Sequence, residues 1–410
     1  MNRCTYCGKE NPDSARQCGG CGTDLPSTEM ACDAIPPYKP FMTEDRLAEF
    51  LPREQCDGGE TDLPPTEIAR DAAAPHKSFM TAEQLAEFFP RENDFTRPDW
   101  EGINALLKLQ GGISSTAAWQ EANTDAVMTW ATRLAEDFGG NYRATESPNF
   151  ICLSDLETPD VRRVLRFAEH AERSIRKFLG EVAWRGHYKH LLILLTEQDD
   201  YDHYVAQFHP DGTYATSLGQ HINNGYPHVV IHFIEWHEAL TTLTHELAHA
   251  SVHHLSLPLW LNEGVAQTLE KKVGDVPPPE RLTDAQAIWS IQSGWTPPLM
   301  WGELAERHHE FWNEENIQSF WAGTSFYEPG DPNELSYSLA EVLVNLIAQD
   351  YGHWLEFLTR AEWDDAGQTA SLDCFGKSLG EIAGTFLGPG EWRPVRQELV
   401  RCWDQAGWEK

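Results

Sequence analysis

The chain has 410 residues, with 64 Asp and Glu against 31 Lys and Arg, for a formal charge of -33. Nucleic-acid binding rests largely on phosphate neutralisation by basic side chains, so this balance argues against a nucleic-acid partner. At 41% hydrophobic and 11% aromatic residues the chain can bury an ordinary core. Its apolar runs, such as Leu191 to Leu195, fall far short of the roughly 20 residues that span a bilayer, so no membrane role is expected.

Met1-Asn2-Arg3 leads straight into cysteines with no apolar signal core, and a cytoplasmic location is the expectation. Cys4-x2-Cys7 and Cys18-x2-Cys21 are each followed by glycine. In a reducing compartment four thiolates at this spacing close a tetrahedral site whose usual occupant is structural zinc. Residues 1 to 25 resemble the short zinc-ribbon modules found at the N-termini of many bacterial proteins. In acidic surroundings such a module is expected to dock protein partners.

An internal repeat follows. Gln17 to Glu54 and Gln55 to Glu92, offset by 38, agree at 24 of 38 positions. Each copy is Pro-rich and ends in a short amphipathic turn, Leu47, Phe50 and Leu51 in the first and Leu85, Phe88 and Phe89 in the second. A helix this short is marginal alone. Residues 26 to 95 therefore read as an acidic linker with a duplicated docking helix, seated on the body of this chain or on a partner.

Residues 96 to 140 read as a helical lead-in, with a helix from Ser115 that Gly139-Gly140 stops. Strands are predicted at Asn149 to Leu153, His190 to Leu195 and Val229 to Phe233, and a helix from Asp160 to Leu179. Helices dominate from Ala239 onward, and Trp301, Trp312, Trp321 and Trp354 look like core. Strands first and helices later argue for an α+β fold.

His245-Glu246-Leu247-Ala248-His249 carries the chemistry. On a helix, His residues at i and i+4 lie one turn apart on one face, so both imidazoles can reach one metal ion. Glu246 stands beside that ion, where a carboxylate can take a proton from an activated water. His237-Glu238 and His309-Glu310 lack the second His, and His253 and His254 read as flanking residues.

Trp260-Leu261-Asn262-Glu263-Gly264-Val265-Ala266 resembles the segment of aminopeptidase N-like gluzincins in which the Glu is the third zinc ligand. Here 13 residues separate His249 from Glu263, fewer than in classical members, which is similar to the compact peptidase MA-like branch. The resemblance, over roughly residues 145 to 350, implies a zincin-like domain: a small mixed sheet, an active-site helix and a helical C-terminal subdomain. It also implies a catalytic Zn2+ on His245, His249 and Glu263, in addition to a structural Zn2+ on Cys4, Cys7, Cys18 and Cys21. Glu246 would be the general base. Tyr337, in Leu335-Ser336-Tyr337, would stabilise the oxyanion. The substrate-amino-terminus box of the aminopeptidases is not found, so endo- or exopeptidase mode stays open. The expected organisation is a ribbon (1 to 25), a linker (26 to 95), a lead-in (96 to 140), a catalytic core (141 to 275) and a helical subdomain (276 to 410). The expected function is zinc-dependent hydrolysis of a peptide or protein substrate, with Val229 to Phe233 as the sheet edge that receives it. The alternative is a non-catalytic zinc scaffold that recruits partners through the ribbon and repeats.

Overall fold

The computed structural model describes residues 2–3, 10–11, 70–71, 87–92, 94–109, 116–139, 141–184, 189–209, 217–274 and 298–395. The chain divides into two units, Met1–Glu49 and Phe50–Lys410. In the first, β1 (Asn2–Arg3) pairs antiparallel with β2 (Glu10–Asn11). Cys4, Cys7, Cys18 and Cys21 and the first repeat copy lie outside the described residues.

The second unit is mixed α+β. After the two-residue β3 (Arg70–Asp71) and a small hairpin of β4 (Arg91–Glu92) and β5 (Phe95–Thr96) come α1 (Trp100–Leu109) and α2 (Thr116–Asp137). Then follow β6 (Arg143–Glu146), β7 (Phe150–Ser154), α3 (Thr158–Leu179), β8 (His190–Leu195), α4 (Gln198–Ala206), β9 (Gly219–Asn224) and β10 (Tyr226–His232). The sheet order is β3-β6-β7-β8-β10-β9, with β7, β8 and β10 parallel and the outer strands antiparallel to their neighbours. Strand β8 carries the all-apolar run Leu191 to Leu195, which is buried throughout, as a parallel strand covered on both faces must be.

Alternate side chains point to opposite faces. Ile151, Leu153, Leu191, Ile193, Leu195 and Val230 join one core with residues of α1, α2 and α4. Cys152, Leu192, Leu194, Val229 and Ile231 are buried on the other face, where α3 packs on β7 and the long helix α5 (Trp236–Val252) packs on β9 and β10. The predicted strands and the helix near Asp160 thus appear within a few residues of their expected bounds. So does the helix stop at Gly139, which takes a positive φ of 93°.

The end of the second repeat is seated on the body of the chain. Phe89 is 4% exposed within the core of α1 and α2, with Phe88 packed against it and the Arg133 guanidinium 5.0 Å from the Phe89 ring. Leu85 lies outside the described residues.

The edge of the sheet is not where the sequence puts it. Val229 to Phe233 overlaps β10, which is hydrogen-bonded on both sides, to β8 and β9. The edge is β9, Gly219-Gln-His-Ile-Asn-Asn, whose polar residues are depleted in strands generally and give no sequence signal.

Helices complete the unit: α6 (Leu259–Leu269), α7 (Pro298–Phe311), α8 (Ile317–Ala322), α9 (Asp331–Ile347), α10 (Tyr351–Arg360), α11 (Gln368–Phe375) and α12 (Leu379–Leu387). A π-helical turn, Glu270–Gly274, continues α6. Trp312, Trp321 and Trp354 are buried as expected, and the Trp301 side chain lies outside the described residues. Among the described residues no helix is long and apolar enough to cross a membrane.

Candidate metal centre

Two helices supply the site. His245, Glu246 and His249 lie on α5 and Glu263 on α6. Trp260 fixes the start of α6, being fully buried with its indole N–H donating to the Ala366 carbonyl at 3.0 Å.

Three donor atoms converge. His245 Nε2 and His249 Nε2 are 3.0 Å apart, and Glu263 Oε2 is 3.4 Å from the first and 3.6 Å from the second. A point about 2.05 Å from all three, the usual zinc–ligand distance, lies roughly 0.7 Å out of their plane, the offset expected for a tetrahedron with one corner open. Among the described residues this is the one group of His, Cys, Asp or Glu side chains placed to hold a metal ion.

The surrounding hydrogen bonds aim the lone pairs at that point. His245 Nδ1 donates to Glu270 Oε2 at 2.8 Å, and His249 Nδ1 is 3.2 Å from Asn262 Oδ1. With the Nδ1 positions so engaged, both Nε2 atoms face inward. Glu263 Oε2 is buried and accepts no hydrogen bond. Burial opposes the charged form of His245, but Glu263 and Glu270 on its two sides outweigh it and hold its pKa well above the ordinary value. Burial likewise works against the Glu263 anion, yet the neighbouring His249 and His245 keep its pKa below the usual carboxylate value. A divalent cation satisfies all three atoms at once, so the donor set fits zinc.

Glu246 is 7% exposed, and its Oε2 accepts the backbone N–H of His221 at 2.6 Å. This contact follows from the strand register. His221 lies opposite Val229, and Asn223 lies opposite Pro227, which has no N–H to give. Gly219, His221 and Asn223 therefore turn their backbone groups away from β10. Gly219 lets the strand come close: a Cβ there would stand 2.5 Å from Thr242 Cγ2 and 3.2 Å from Glu246 Cγ. Burial raises the Glu246 pKa, partly offset by His249 and His245. His221 is buried, and burial together with His253 and His249 lowers its pKa well below normal.

Tyr337 lies on α9, with its ring 5.1 Å from Phe326. The Glu263 carboxylate, then burial, raise its pKa far above the ordinary phenol value, with Tyr327, Glu246 and Glu270 adding to the effect. The phenol thus sits in the field of the same carboxylates that form the site. Gly264 allows this approach of α9 to α6, since a Cβ there would fall 2.6 Å from the Ala340 carbonyl oxygen and 2.7 Å from Val344 Cγ2. Gly264→Ala is expected to force the helices apart and cost about 1–3 kcal/mol, seen as a lower urea midpoint; an unchanged midpoint would show that the helices have slack.

The geometry brings together His245, Glu246, His249 and Glu263, with Tyr337 in their field. His253 flanks the group, its Nδ1 donating to the Ala250 carbonyl at 2.7 Å. Three contributors carried no role in the sequence reading: His221 through its backbone, Asn262 and Glu270. Asn262 precedes Glu263 and shares the motif. Glu270 follows Glu263 by seven residues, two helical turns, which is the available sequence signal.

Residues 3–25 match the zinc-ribbon domain, which points to zinc binding at that end of the chain. No curated protein and no solved structure matches the chain.

Proposed function

We propose that the second unit is a zinc-dependent peptidase with a zincin-like arrangement and a gluzincin-type ligand set of His245, His249 and Glu263. The observation that carries this reading is the convergence of three inward-facing donor atoms at 3.0 to 3.6 Å, with a buried carboxylate from the next residue, Glu246, beside them. A zinc ion held there supplies Lewis-acid polarisation of a carbonyl and lowers the pKa of a water toward about 7.

The chain supplies the rest. Glu246 is anchored through Oε2, which leaves Oε1 to take the proton of the attacking water and deliver it to the leaving amine. Tyr337 stays protonated and donates a hydrogen bond to the developing oxyanion. Strand β9 offers an extended peptide the backbone groups of Gly219 and Asn223 that face away from β10, while the His221 N–H stays with Glu246.

The test is cleavage of a mixed peptide library by the full chain. The expected result is hydrolysis that stops on chelation and returns with added zinc. Cleavage indifferent to the chelator, or none at all with zinc present, removes the reading.

A further inference from the structure

Helices α1 and α2 each carry an indole followed one turn later by a carboxamide. Trp100, Asn104 and Lys108 stand at i, i+4 and i+8 on α1, and Trp119 and Asn123 at i and i+4 on α2, so each set shares one helix face. Together with Gly225 and Tyr226, where β9 turns into β10, they line a cavity of about 280 Å³. The turn is pressed onto α1: Gly225 takes a φ of 73°, and a Cβ there would stand 2.7 Å from Trp100 Cδ1. The Trp100 and Tyr226 rings lie 4.7 Å apart, and Trp119 adds a second indole to the lining.

The polar side chains of this lining are left without partners. Asn123 is 4% exposed; its Nδ2 donates to the Trp119 carbonyl at 2.9 Å, and its Oδ1 has no hydrogen-bond partner among the described residues. A carboxamide this buried is unfavourable to leave half paired. The Asn104 amide has no partner among the described residues either. The Lys108 ammonium forms no ion pair among them, in a chain where 64 acidic residues face 31 basic ones. An acceptor, a donor and a cation thus share one aromatic-walled cavity, the make-up of a small-ligand site. Its volume of about 280 Å³ is just under the roughly 300–1,000 Å³ of drug-sized pockets, which suits one ring-bearing residue.

We propose that this cavity binds a single aromatic amino-acid residue that carries a free carboxylate. The ring packs on the indoles and on Tyr226, the residue's N–H donates to Asn123 Oδ1, and the carboxylate accepts from Asn104 Nδ2 and the Lys108 ammonium. A free amino acid and the C-terminal residue of a peptide share this chemistry. The site uses no residue of the metal centre, and it stands whether or not the second unit hydrolyses peptides.

The experiment is titration calorimetry on the full chain. N-acetyl-L-tyrosine is expected to bind saturably, N-acetyl-L-tyrosinamide about 10-fold more weakly because it lacks the charge, and N-acetyl-L-alanine not at all. Lys108→Gln should weaken N-acetyl-L-tyrosine by about 10-fold and erase most of the difference between acid and amide, since the lysine and the carboxylate act as a pair. Asn104→Phe fills the cavity from a partly exposed position on α1 and should abolish binding with the urea midpoint little changed. Free L-tyrosine and the peptide Gly-Gly-Tyr, the latter titrated into Glu246→Gln so that it stays whole, separate the two sources; binding by either one supports the site and names its ligand. His249→Ala should leave the binding of N-acetyl-L-tyrosine intact, and its loss there would place the carboxylate at the metal centre and overturn the cavity. The absence of saturable heat up to about 10 mM N-acetyl-L-tyrosine, equal binding of acid and amide, or binding that survives Asn104→Phe would overturn it as well.

Discussion

Glu246→Gln is expected to retain the second zinc and to lose about 10²- to 10⁴-fold in peptide hydrolysis. The amide is the same size and still accepts the His221 N–H, so neither the ligand triangle nor the contact with β9 changes. What disappears is the capacity to accept a proton at the oxygen facing the water. Because this variant leaves the ribbon untouched, it separates the chemistry of the second unit from effects that a chelator has on both ends of the chain. A Glu246→Gln chain that cleaves peptides at the wild-type rate would remove Glu246 from the mechanism.

Tyr337→Phe is expected to lower kcat by about 10²- to 10³-fold with little change in KM, since an oxyanion donor acts chiefly in the transition state. The ring contact with Phe326 survives this change, so the fold of α9 should be preserved. The carboxylates around Tyr337 favour the neutral phenol, which suits a hydrogen-bond donor. A Tyr337→Phe variant with raised KM and unchanged kcat would instead place the hydroxyl on the bound substrate.

The convergence of His245, His249 and Glu263 was legible in the sequence because its geometry is local. His245 and His249 are one helical turn apart, and Asn262-Glu263-Gly264 is a contiguous segment of the next helix. The central strands were legible for a related reason: Leu191 to Leu195 is an unbroken apolar run that only a covered strand or helix can bury. Strand β9 was not legible. Its Gln220, Asn223 and Asn224 carry no strand preference, and it is defined by pairing with β10 and by the backbone bond to Glu246. Glu270 left a weaker trace, its place two helical turns after Glu263 on the same helix face, and its contact with His245 shows only once the two helices are placed. Phe88 and Phe89 were seen as a docking pair. Their seat on α1 and α2 became visible only once those helices were placed.

Zinc content tests the central claim most directly. For the full chain, plasma emission after dialysis against a weak chelator should give about two zinc ions per molecule, one in a four-cysteine site and one in a His-His-Glu site. His249→Ala and Glu263→Ala should each remove one and leave the other in place. Two zinc ions retained in both variants, or one zinc ion in all three chains, would contradict the metal centre on which the proposed hydrolysis depends.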